Sequence, residues 1–125
     1  MTTVTTRLRG AAYAFVLDVL LVLVFSAIGR ASHDESGPVV GALTTAWPFL
    51  VGTLVGWAVV RVLRKDWPVS TGPGITVWFA TWVFGMLLRH LTGKGTAAPF
   101  MIVAALVLAL FLVGRRALLD RLAAR

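Results

Sequence analysis

The sequence predicts an all-α polytopic membrane protein, a compact bundle of four transmembrane helices, and three observations support this prediction. Apolar residues make up 58% of the 125-residue chain and charged residues only 14%, against about 25% in soluble proteins. Four long stretches with almost no charge take up nearly the whole sequence. The basic residues are concentrated at alternate ends of these stretches. We therefore expect the lipid bilayer to surround most of the molecule.

Each stretch is long enough for a helix that crosses the ~30 Å hydrocarbon core, which takes about 20 residues. The predicted spans, within a single domain of residues 1–125, are about 10–29, 39–60, 74–90 and 96–114. The third helix is expected to start near Gly74, because prolines and glycines precede it. The arginine-rich residues 115–125 also carry leucines and alanines, which predicts a helical tail in the cytoplasmic interface.

Lysine and arginine counts predict the orientation. Nine of these residues flank one set of helix ends and three flank the other. The larger set is Arg7, Arg9, Arg61, Arg64, Lys65, Arg115, Arg116, Arg121 and Arg125, and the smaller set is Arg30, Arg89 and Lys94. The excess marks the cytoplasmic side, so we expect a multi-pass protein of the cytoplasmic (inner) membrane with both termini inside. The basic residues behind the +7 net charge are then explained as interfacial anchors that meet anionic headgroups. No nucleic-acid partner is expected.

Asp18 lies in the middle of the first apolar stretch, "AYAFVLDVLLVLVF". A charged side chain at the bilayer centre costs at least about 2.5–3.5 kcal/mol, so this carboxyl group should face the interior of the bundle. Counting residues from the span ends places Thr53, Thr81 and Trp82 at a similar depth, with hydrogens to donate to the carboxylate. Trp78 lies one turn from Trp82 on the same face. These five residues are the candidate ion-, proton- or substrate-facing group.

A second polar cluster is predicted at the outer ends of the helices. It comprises Arg30, His33, Asp34, Glu35, Arg89 and His90. Solvated ion pairs worth little individually are its default interpretation. Nothing in the spacing calls for a metal ion, and no cofactor is expected.

Four residues of the second and third spans are candidates for helix packing or kinks. Gly52 and Gly56 have the spacing that permits close approach of helix backbones. Pro48 is expected to bend its helix because it lacks a backbone N–H. Gly85 completes this set.

Several stretches together resemble a known family. They are "LDVLLVLVFSAIGRASHDE", "TAWPFLVGTLVGW", "GITVWFATWVFGMLLR" and "GKGTAAPFMIVAALVLALFLVGRR". The chain resembles a family of small bacterial and archaeal four-span membrane proteins of unknown function over most of its length. The positions that match the polar signature of this family are Asp18, Gly29, Arg30, His33, Pro48, Thr81, Gly85 and Arg89. The resemblance implies the fold but supplies no activity.

Two functions fit these features. The first is a transporter or channel for a small solute or ion, built around Asp18 and expected to form a parallel homodimer. The second is an accessory or assembly subunit of a larger membrane complex, with a dry, structural Asp18 and a lipid-facing seam. Trp47, Trp57 and Trp78 are the candidates for that seam. An enzyme is not expected, because the chain has no cysteine and no Ser-His-Asp grouping at one depth.

Overall fold

The computed structural model describes residues 2–31, 38–93 and 97–123, and these residues form helices joined by short connections. The helices are α1 (Thr2–Ala31), α2 (Pro38–Arg64), α3 (Thr71–Leu91), α4 (Ala98–Leu108) and α5 (Arg115–Ala123). A π-helical segment, Ala109–Gly114, joins α4 to α5 without a break. No strand occurs in the part of the chain that the structure describes, and the predicted all-α fold is confirmed.

Four helical segments are long and apolar enough to cross a membrane. They are Thr6–Gly29, Leu43–Arg64, Thr71–Leu91 and Ala98–Ala123. The last one combines α4, the π segment and α5. With 30 residues, α1 is about 45 Å long and exceeds the ~30 Å hydrocarbon core. The chain is therefore a four-span helical bundle, while the compartment that holds its termini stays a prediction.

One stripe of α1 faces the core of the bundle. Ala11, Ala14, Val22 and Phe25 recur at helical spacing and are buried. The opposite face carries exposed apolar side chains, of which Tyr13, Val16, Leu20 and Ile28 are examples. An apolar exterior of this kind suits a helix that borders lipid.

The backbones of α2 and α3 approach each other closely at two glycines. A Cβ atom added to Gly52 would lie 2.7 Å from the carbonyl oxygen of Ala80. At Gly56 it would lie 2.9 Å from Cα of Val77. At both positions a larger residue would push the helices apart.

Two further predicted packing positions lie nearby. Gly85 faces the ring of Phe49, which would overlap any added Cβ atom. Pro48 is buried, and α2 continues through it as a single helix from Pro38 to Arg64.

The connection between α2 and α3 ties three parts of the chain to one end of the bundle. Asp66 forms a 2.7 Å ion pair with Arg7 of α1. Asp120 of α5 accepts hydrogen bonds from the backbone N–H (3.0 Å) and the hydroxyl (2.6 Å) of Thr71, the first residue of α3. The N-terminal segment, this connection and the C-terminal helix therefore lie together, as the grouping of basic residues requires.

We predict that Gly52→Ala destabilises the bundle by about 1–3 kcal/mol, because the new methyl group overlaps the backbone of α3. Reversible unfolding in mixed detergent micelles measures this change. Gly10→Ala is the matched control, because nothing lies within 4 Å of its added Cβ atom. Equal stability of the two variants would contradict the tight α2–α3 contact.

Candidate functional site

Asp18 occupies a position in the inward stripe of α1 where apolar residues precede and follow it. Its side chain has no exposed surface. The prediction that this carboxyl group turns away from lipid is therefore confirmed. The residues that surround it define the candidate site.

Four hydrogen bonds converge on the Asp18 carboxylate. Oδ1 accepts from Nη2 of Arg115 (2.7 Å) and from Nη1 of Arg116 (2.9 Å). Oδ2 accepts from Nη2 of Arg116 (2.6 Å) and from the indole N–H of Trp57 (2.8 Å). A carboxylate offers about four lone-pair sites, so every acceptor position of Asp18 is filled. We call Asp18, Trp57, Arg115 and Arg116 the Asp18 cluster.

Arg116 is as fully bonded as its partner. Its side chain has no exposed surface, and it pairs with both carboxylate oxygens in the fork geometry that makes arginine–carboxylate pairs strong. Nε and Nη2 also donate to the carbonyl oxygen of Pro68, at 3.0 and 2.8 Å. Nη1 donates to the carbonyl oxygen of Leu112 at 2.8 Å. All five guanidinium hydrogens are thus used.

Arg115 is bound less completely. Its side chain is 14% exposed and touches Asp18 through Nη2 alone. Its Nε is buried and has no hydrogen-bond partner in the part of the chain that the structure describes. With two guanidinium groups against one carboxylate, the Asp18 cluster carries an excess of positive charge, located on the Arg115 side.

Gly74 of α3 makes room for Arg116. A Cβ atom at this position would overlap Cδ of Arg116 and lie 3.0 Å from Nε. The arginine cannot move aside freely, because its head is fixed by five hydrogen bonds. Absence of a side chain at Gly74 therefore allows a guanidinium group to pass across α3 and reach α1.

The π segment keeps the fourth span aligned with the cluster. Ala104, Leu108, Leu112 and Arg116 follow one another at intervals of four and are all fully buried. In an α-helix, each step of four residues would turn such a row by about 40°. The wider turn at Ala109–Gly114 rotates the chain less per residue and corrects this drift.

The residues predicted to donate to Asp18 form hydrogen bonds with other groups, and this part of the prediction is wrong. The hydroxyl groups of Thr53 and Thr81 bond to each other at 2.9 Å. The indole N–H of Trp82 donates to the carbonyl oxygen of Met101, and that of Trp78 to the carbonyl oxygen of Ala105. Both tryptophans thus tie α3 to α4.

Three residues that hold Asp18 were assigned other positions from the sequence. Arg115 and Arg116 were predicted in an interfacial tail, but they point into the bundle. Trp57 was a candidate for a lipid-facing seam, but it is only 6% exposed. The estimate of depth, made by counting residues from the span ends, failed because it assumed that every arginine at a span end marks the membrane boundary. One signal was present: a lone buried acid needs a basic partner, and these arginines lie at the same end of the bundle.

The predicted outer cluster is only partly visible. His33, Asp34 and Glu35 lie outside the described residues, as does the side chain of Arg30. The guanidinium group of Arg89 lies 4.6 Å from the ring centroid of Phe100, and His90 is exposed. Among the described residues, no three His, Cys, Asp or Glu side chains are grouped to hold a metal ion.

Comparison with known proteins places the chain in a family. Residues 15–119 match the model of a family described as protein of unknown function, DUF3054. The chain belongs to the DUF3054 family. The matched region contains all four members of the Asp18 cluster and Gly74. No curated protein and no solved structure matches this DUF3054 chain.

We predict that Asp18→Asn destabilises the DUF3054 protein by about 3–5 kcal/mol, because it leaves two arginines in the bundle without a counter-charge. Unfolding in mixed micelles measures the loss. Asp66→Asn is the control, since it also removes a paired carboxylate but at an exposed position.

The double variant Asp18→Asn, Arg116→Met tests whether the two side chains act as a pair. Its loss of stability should be smaller than the sum of the two single losses, by about 0.5–3 kcal/mol. Strict additivity would contradict the contact.

We predict that Gly74→Ala disturbs the Asp18 cluster, because its methyl group takes the space of the Arg116 side chain. The tryptophan emission of the protein reports this change, since the indole N–H of Trp57, one of five tryptophans, donates to Asp18. Gly72→Ala serves as the control, because its added Cβ atom meets only Nη1 of Arg64 at 3.9 Å. The same emission spectrum for both variants would argue against the close passage of Arg116.

Proposed function

We propose that this DUF3054 protein is a non-enzymatic accessory or assembly subunit that docks within the membrane onto a larger membrane complex. One observation carries the proposal: the Asp18 carboxylate is fully buried, and hydrogen-bond donors of the protein fill all four of its acceptor positions. Asp18 then serves the folding of the subunit and handles no transported ion.

A transported proton or cation needs a free position on the carboxylate. At Asp18 it would have to displace Trp57, Arg115 or Arg116. Freeing Arg116 from Asp18 would leave a guanidinium charge unpaired inside the bundle, which costs several kcal/mol. Asp18 lines neither the apolar groove between α1 and α2 nor the polar hollow near Trp67, which are both described below. This chemistry supports a structural acid.

A stripe of exposed apolar residues on α2 supports docking through helix contacts. Leu43, Trp47, Val51 and Leu54 recur at intervals of three or four residues and are 37–54% exposed. We call them the α2 stripe. Trp47 is the member of the predicted tryptophan seam with the greatest exposure. Tryptophan offers a large, rigid surface to a neighbouring helix, and such residues are enriched where proteins bind one another.

Transport of a small anion is the second candidate function. The unpartnered Nε of Arg115 and the positive excess of the Asp18 cluster favour it over transport of a cation. A parallel homodimer, which the transport function requires to enclose enough volume, stays part of this candidate.

We predict that a photoreactive residue in place of Val51 forms adducts with another membrane protein in native membranes. The same residue in place of Ile102, which is exposed on α4, is the control and should capture lipid only. Mass spectrometry of the adducts distinguishes a foreign protein from a second copy of this chain. Capture of only a second copy, or of lipid alone at both positions, would contradict docking through the α2 stripe.

A flux measurement tests the transport candidate directly. We predict that vesicles containing the purified protein dissipate imposed proton and chloride gradients no faster than protein-free vesicles. Faster chloride flux that Arg115→Gln abolishes would overturn the proposal in favour of anion transport. Faster proton flux that Asp18→Asn abolishes would overturn it as well.

A further inference from the structure

A groove of about 510 Å³ runs between α1 and α2 and is lined almost entirely by apolar side chains. Phe15 and Trp57 form part of its wall, with their rings edge to face at 5.2 Å. Ala58 leaves space beside them because its side chain is small. The groove faces outward, because Ala58 is exposed on the surface of α2.

Arg61 and Trp67 close the end of the groove nearest the termini. The guanidinium group of Arg61 lies 4.9 Å from the ring centroid of Trp67. Arg61 is one helical turn before Arg64, where the span of α2 ends. An arginine and a tryptophan at such a position lie at the depth of the lipid headgroups.

A second, more polar hollow of about 350 Å³ is also lined by Trp67. Thr6, Arg7, Asp66 and Ser70 are among its lining residues. The backbone N–H of Trp67 donates to the Asp66 carboxylate at 2.9 Å and, together with the Arg7 charge, lowers the pKa of Asp66. Asp66 is therefore ionised at neutral pH and balances Arg7.

Arg61 adds a second positive charge near Asp66, and this charge also contributes to the lowered pKa of that carboxyl group. Within residues 2–31, 38–93 and 97–123 its guanidinium group forms no ion pair. Arg61 lines the groove and lies against Trp67, the residue that borders both the groove and the hollow. An apolar groove, a cation at Trp67 and a polar hollow match the acyl chain, the phosphate and the rest of the headgroup of a phospholipid. Each basic residue near the membrane surface adds about 1 kcal/mol of attraction for anionic lipid.

We propose that the groove and the hollow together bind one anionic phospholipid. An acyl chain lies against Phe15 and Trp57, the phosphate pairs with Arg61, and the rest of the headgroup enters the hollow. The same Trp57 donates to Asp18, so the bound lipid covers the indole that caps the Asp18 cluster. The site is independent of the docking function proposed above.

Native mass spectrometry of the delipidated full-length protein tests the site with phosphatidylglycerol and phosphatidylcholine of identical acyl chains. We expect one phosphatidylglycerol to be retained in preference to phosphatidylcholine. Arg61→Gln should weaken phosphatidylglycerol binding about fivefold and remove the preference. Arg64→Gln is the matched control, since it removes the same charge one turn away, outside both the groove and the hollow.

Filling the groove provides a second, independent test. Ala58→Phe should abolish retention of the lipid, because the ring occupies the space of the acyl chain. Val59→Phe, at an exposed position that does not line the groove, should retain it. Equal binding of both lipids by the unaltered protein, or equal effects of each variant and its control, would overturn the proposal.

Discussion

The buried ion pair between Asp18 and Arg116 is the interaction on which the arrangement of this bundle depends. Through one guanidinium group, the fourth span binds α1 at Asp18 and the α2–α3 connection at Pro68, while it passes across Gly74 of α3. Neither charge can be left alone at this depth, since an unpaired buried ion is strongly destabilising. Helices that shift relative to one another would break several of these bonds at once. We infer that the pair selects one arrangement among the many that apolar helices permit.

Such selection matters because lipid gives helices little reason to prefer one another. Acyl chains are as apolar as leucine, so close packing and polar contacts decide which faces meet. This bundle uses both devices at different places. Gly52 and Gly56 bring the backbones of α2 and α3 together, and the Asp18 cluster fixes α1 and the fourth span at the end that carries both termini. The exposed side chains, by contrast, need only be apolar.

The sequence was sufficient for the fold because charges are so costly in a bilayer that the gaps between them outline the helices. It also indicated correctly that Asp18 faces inward. It did not reveal the hydrogen-bond partners of Asp18. The long side chain of an arginine at the end of an apolar run can reach either the membrane interface or the interior of the bundle. Arg116 enters the interior, and the missing side chain at Gly74 makes room for it. No local pattern of residues predicts that Ala109–Gly114 is π-helical.

Because of that widened turn, the fourth span contains about one residue more than an α-helix would need to point Arg115 and Arg116 at Asp18. The six residues of Ala109–Gly114 cover a rotation that an ordinary α-helix completes with about one residue fewer. Wound as an α-helix with the same residues, this stretch would swing both arginines about 100° from the carboxylate. Deleting one residue from this α-helical form would point Arg115 and Arg116 at the Asp18 carboxylate again. Among related sequences, single-residue gaps in this stretch are therefore expected to be harmless, provided that the helix straightens where the residue is missing.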